Sequence, residues 1–162
     1  MDPKLIDQYE SGGSKLQKAI TGLSSQDLLW VPPPDAQIGL WSIQQVVIHL
    51  MDADLIGTNR MKSIIAEDHP TILGYDESKF AASLFYEAQN AESAIGLLDL
   101  NRRQFAKVLR KLPDSSFSRT GQHNERGSIT LGQCLQWRIE HIDHHLNFVF
   151  KKREKLAKPL KE

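Results

Sequence analysis

The chain has little of what marks many protein classes. Of its 162 residues one is cysteine, Cys134, so no internal disulfide can form and a reducing compartment is expected. No stretch approaches the ~20 consecutive apolar residues that a membrane-spanning helix needs. The opening Met1-Asp2-Pro3-Lys4 shows no basic segment followed by an apolar run, and the expected location is the cytoplasm. Charge of one sign is lacking too. Twenty Lys and Arg offset twenty Asp and Glu, which leaves no net field to gather nucleic acid or an anionic membrane, and neither is expected as a partner. The short run Lys151-Lys152-Arg153 reads as a solvated helix end that complements the helix dipole. Internal repeats are missing as well, and no run of residues has a convincing strand pattern.

What is present is helical periodicity in a chain sized for one domain, residues 1–162. Asp2 before Pro3 is a cap followed by a ring at the first helical position. The apolar residues Leu5, Ile6, Tyr9, Leu16, Ile20 and Leu23 continue a first helix, weakened in the middle by Gly12 and Gly13. Pro32, Pro33 and Pro34 make the segment from Ser24 to Trp41 an extended linker. Ser42 with Gln45 has the form of a capping box, and a second helix follows from Ile43 to about Ala66. A long connection, with a short helix from Asp76 to about Phe85, leads to a third helix from Ala91 to Leu112. A polar stretch from Asp114 to Ser128 reads as loop. Thr130 with Gln133 then opens a fourth helix that runs to about Lys155. The expected class is all-α, a four-helix bundle.

The histidines carry the chemistry. His141 and His145 stand at i and i+4, so their rings leave one helix face a turn apart, a spacing that can place two ring nitrogens on one ion. The same spacing also occurs on helices that hold no metal, as exposed or partly buried polar residues. A third ligand has to come from another helix, and His49 is the one histidine of helix two. If helices two and four are antiparallel, His49 lies within ~6 Å in height of His145; if parallel, about as near to His141. Three imidazoles would leave one position of a tetrahedral ion open, as in catalytic sites. Cys134, Arg138 and Phe148 share the face of His141 and His145. His144 points about 100° away around the helix. Asp52, one turn after His49, and His123, in the expected loop before helix four, are further candidates for the outer parts of a site, with His144, while Cys134 reads as packing.

The pattern resembles the DinB-like superfamily of bacterial metal-binding four-helix proteins. Trp41-Ser42-Ile43 with His49-Leu50 and Asp52-Ala53 is similar to its helix-two signature, and His141-Ile142-Asp143-His144-His145 to its C-terminal one. Between them, the segments from Ile72 to Glu77, from His123 to Gly127, and Ile129-Thr130-Leu131 sit where related chains carry similar ones. One departure is Phe148, where many members have glutamine. The resemblance implies an up-down-down-up bundle, a homodimer, and His49, His141 and His145 as ligands of a divalent transition metal, zinc or nickel first. It also implies a small-molecule substrate. For the reaction, it suggests a low-molecular-weight thiol as co-substrate in S-transfer. The alternatives are hydrolysis by metal-activated water and a metal-binding stress protein without turnover.

Overall fold

A computed structural model describes residues 2–34 and 38–160. Residues 35–37, part of the expected linker, lie outside the described residues, as do the chain ends. The described residues form seven α-helices, α1 (Pro3–Glu10), α2 (Gly12–Ile20), α3 (Ser25–Leu29), α4 (Ile43–Ala66), α5 (Glu77–Ser83), α6 (Ala91–Leu109) and α7 (Leu131–Lys155), of which α3 corrects the reading of Ser24 to Trp41 as extended throughout. Three short strands join them: β1 (Thr71–Ile72), β2 (Thr120–His123) and β3 (Gly127–Thr130).

The caps expected from sequence are made. The Asp2 side chain accepts from the Lys4 backbone at 2.9 Å, and both capping boxes close, Ser42 with Gln45 and Thr130 with Gln133. The first bundle helix is α1 and α2 in succession, divided at Ser11, whose backbone stays in the right-handed helical region. Gly12 and Gly13 have a tertiary reason. A Cβ on Gly12 would overlap the Arg102 guanidinium, and one on Gly13 would lie 2.5 Å from the Asp99 Cβ, so these glycines let α6 come close.

Helix directions follow from paired contacts. Arg138 reaches the Ala53 carbonyl, His141 meets His49, and Lys152 reaches the Ile38 carbonyl, so α7 runs against α4. Gln44 binds the carbonyls of Tyr86 and Glu87 just ahead of α6, while Asn101 and Arg102 meet Asp54, so α6 runs parallel to α4. Arg110 pairs with Asp7 and Glu10, antiparallel to α6; Lys15 with Asp143 and Arg153 with the Ala19 carbonyl run parallel to α7. The bundle is up-down-down-up. Two buried clusters fill it, one around Leu16, Ile48, Leu98 and Ile142, the other around Tyr9, Met61, Phe105 and Leu135.

Between the clusters sits a buried ion pair. Arg102 and Asp54 are 1% and 2% exposed, and the Arg102 Nε donates to Asp54 Oδ1 at 2.7 Å. The remaining Arg102 donors go to the Tyr9 and Arg138 carbonyls at 2.9 and 2.8 Å. Asn101 completes the carboxylate at 2.9 Å. All the donors used are satisfied, which is the condition under which such a pair is tolerated in a core.

The sheet corrects the reading of the polar stretch before helix four as loop. Asp114–Ser118 is a 3-10 turn, and β2 and β3 form an antiparallel hairpin with β1 added in parallel. Four-residue strands around Gly127, at φ 73°, are too short and polar to show an alternating pattern. His123 therefore ends a strand instead of lying in a loop. The third bundle helix ends at Leu109, three residues before the expected Leu112.

Candidate metal centre

The antiparallel packing of α4 on α7 brings His49, His141 and His145 together, with one ring nitrogen of each within 4.8 Å of the others. His49 is fully buried. Its Nε2 is 3.1 Å from His141 Nε2, and Trp41 packs on its ring at a centroid distance of 5.1 Å. Two ligands at 2.0–2.1 Å from a tetrahedral ion are roughly 3.3 Å apart, so the observed pair is at ligand spacing. The Nδ1 atoms of His49 and His145 are buried and have no hydrogen-bond partner in the protein. One neutral ring nitrogen from each of three histidines, converging within 4.8 Å, fits a divalent transition metal.

Burial first, then neighbouring cations and rings, lower all three histidines. His49 falls to about 3, with His145 and Arg138 adding to burial. His141 falls to about 2, with Arg138 and the other rings adding. His145 falls to about 4, through burial, His144 and Lys152. The rings are thus neutral at pH 7, the form that binds metal.

The outer candidates separate. His123 is buried, lines the adjoining cavity and accepts the Glu125 backbone N–H on Nδ1 at 3.1 Å. Its neutral ring then carries hydrogen on Nε2. His144 is exposed at the cavity rim, edge-on to His145 at 5.3 Å. Asp52 does not line that cavity; it accepts the Tyr86 hydroxyl at 2.6 Å. Phe148, the departure from the related pattern, packs edge-on against His144 at 5.0 Å. Cys134 is buried, and its thiol is pushed up by burial.

The structure adds residues to which sequence reasoning gave no role. Glu77, at the start of α5, places Oε2 4.0 Å from His49 Nε2. It lies in the segment from Ile72 to Glu77, but no spacing rule connects it to a histidine 28 positions earlier. The Asp76 side chain caps α5 by accepting from Lys79 N at 2.9 Å, which orients that first turn. Beside the histidines lies a cavity of about 340 Å³, whose walls include Gly57, Arg60, Tyr75, Cys134, Trp137 and Arg138. Periodicity could have flagged Arg60, which is three turns below His49 and only about 20° around the helix from it.

Known proteins are similar to this chain in sequence and fold. Residues 8–149 match the model of the DinB superfamily. A protein of Oceanobacillus iheyensis, provisionally named a metal-dependent hydrolase, is 32% identical over 141 residues, 87% of this chain and 79% of the relative. YfiT of Bacillus subtilis, under the same provisional name, is 28% identical over 144 residues, 88% of this chain and 79% of YfiT. The solved structure of YfiT, described as having an unusual four-helix bundle topology, superposes with a TM-score of 0.86 at 25% identity, covering 95% of this chain and 86% of that one. A mycothiol-dependent maleylpyruvate isomerase shares the fold at a TM-score of 0.68 and 11% identity, covering 90% of this chain and 59% of that one. No helix among the described residues is long and apolar enough to cross a membrane.

Proposed function

This chain belongs to the DinB superfamily, and from that premise we propose that it is a metal-dependent hydrolase of a small-molecule substrate. His49, His141 and His145 are the proposed ligands of one divalent transition ion; three imidazoles suit zinc, nickel, copper or iron, and zinc or nickel is proposed first. When bound, such an ion supplies Lewis acidity, lowering the pKa of water and polarising a carbonyl.

The observation that carries the hydrolytic reading is Glu77, whose carboxylate oxygen lies 4.0 Å from His49 Nε2 with half of its side chain exposed. A carboxylate at the open side of a three-histidine cluster is placed to take a proton from the attacking water and return it to the leaving group. His123, with hydrogen on Nε2, supplies a neutral donor to the cavity. His144 stands at the rim of the same cavity, while Asp52, bound to the Tyr86 hydroxyl, is given no part in it.

The test is turnover of an ester, amide and lactone panel by the zinc-reconstituted protein, compared with Glu77→Gln. The expected loss in kcat is about 100-fold or more, with metal content unchanged. Turnover of monochlorobimane with glutathione or bacillithiol, and none of the hydrolytic panel, would transfer the site to the thiol reaction. No turnover in either would leave a metal-binding protein. A dimer is proposed from the family pattern and is checked by light scattering.

A further inference from the structure

The cavity beside the histidines has an inner wall whose polarity is not balanced by the protein. Arg60 from α4 and Arg138 from α7 are both partly buried. Neither forms an ion pair among the described residues. Arg138 gives Nη1 to the Ala53 carbonyl at 3.0 Å, and Asp54, the acid that most favours its charge, is already bound to Arg102. Arg60 gives Nη2 to the Leu73 carbonyl, while its buried Nε has no protein partner. The hydroxyl of Tyr75, also buried, has none either, and the Arg60 guanidinium lies 5.8 Å from the Tyr75 ring.

Two partly buried guanidiniums with no ion pair among the described residues leave donors for an incoming anion. A guanidinium keeps its proton in proteins, and burial raises Tyr75 to about 12, so its hydroxyl also keeps its proton at neutral pH. The acids that share the cavity, Glu77, Glu125 and Glu140, are exposed and belong to its rim. Glu140 is engaged by Gln136 at 2.8 Å, and Glu125 lies against Gly74. Gly57 keeps the pocket open to Arg138, because a Cβ there would overlap its side chain. Ile129, Cys134 and Trp137 make the rest of the wall less polar.

We propose that this cavity is an oxyanion pocket, in which Arg60, Arg138 and Tyr75 hold the carboxylate or phosphate end of a small substrate while its reacting end lies at the three histidines. The guanidinium fork matches either anion, and the hydroxyl adds a third donor. The orientation toward the histidines rests on the hydrolase reading; the anion pocket does not.

The test is calorimetric titration of the full chain, zinc-reconstituted and after chelation, with succinate, inorganic phosphate and the uncharged succinamide. Succinate or phosphate is expected to bind in both forms and succinamide in neither. Tyr75→Phe and Arg60→Met are each expected to weaken anion binding about tenfold or more, the worth of a hydrogen bond to a charged group. Preference between the two anions names the source. Equal binding of succinamide, binding of neither anion, or anion affinity untouched by Tyr75→Phe would overturn the proposal. Should Arg60→Met fail to fold, Tyr75→Phe decides alone, since it removes one oxygen from a partly buried ring. Failure of hydrolysis leaves these titrations unaffected, so the two readings fail separately.

Discussion

His49 Nε2 lies 3.1 Å from His141 Nε2 although 92 residues separate the two in the chain. Two imidazole nitrogens at that distance can share one proton, and a third ring whose buried Nδ1 has no protein partner joins them. A cation in place of the proton would take one nitrogen from each of the three rings.

That relationship predicts the effect of single ligand losses. Replacing His49, His141 or His145 with alanine should each weaken zinc binding more than ~100-fold, beyond the loss typical of an outer partner. Elemental analysis after reconstitution and a chelator competition measure this. Retention of a full equivalent in His145→Ala would move the third ligand to His144.

Proton release gives a second check. Histidines of ordinary pKa would surrender roughly two protons among three on binding zinc at pH 6. With the three lowered to about 3, 2 and 4 by burial, release at pH 6 should be near zero. Calorimetry in two buffers of different ionisation enthalpy counts the protons, and a value near two would contradict the buried, neutral cluster.

The Arg102 and Asp54 pair sets a stability prediction. Asp54→Ala leaves a buried guanidinium uncompensated and should destabilise the protein by about 3–5 kcal/mol in denaturant melts. A loss below about 1 kcal/mol would show that water reaches the pair.

Lys152 gives a pH dependence of defined sign. It is 1% exposed, donates to the Ile38 carbonyl, and burial lowers it from 10.5 to about 8. Between those values the unfolded chain holds the extra proton, so stability should rise with pH across that window. From pH 8 to 9.5 the rise from this residue should be about 1–2 kcal/mol, and Lys152→Met should remove it. Stopping at 9.5 stays below the unfolded tyrosine value of 10, above which Tyr9, Tyr75 and Tyr86, all raised by burial, lower stability; Cys134, also raised by burial, acts equally in both proteins and cancels in the comparison. A slope unchanged in Lys152→Met would show that its burial is relieved in solution.

How far each level reaches is visible in particular residues. The capping boxes at Ser42 and Thr130 fix where α4 and α7 begin, and the apolar period behind them carries the helices on, because these are interactions within a turn or two of the chain. The i, i+4 spacing of His141 and His145 is local in the same way, and so is the face they share with Arg138. The glycines at 12 and 13 marked the place where the first bundle helix divides, beside Ser11, but not why they are there. Their cause is α6 pressing against them, which only packing supplies. The hairpin from Thr120 to Thr130 escaped for a like reason: its strands are held by partners across the sheet and by β1, some fifty residues earlier, and not by their own propensity.

Residue type and periodicity therefore determined the four bundle helices and put His141 and His145 on one face. Antiparallel docking of α4 on α7 added His49, seated α5 so that Glu77 faces the cluster, and closed Arg60, Arg138 and Tyr75 around one cavity. Hydrogen bonds within a helix act over a few residues and can be read along the chain. The electrostatic character of the site, from the lowered histidines to the unpaired guanidiniums, arises from desolvation, which exists only once distant segments have excluded water together.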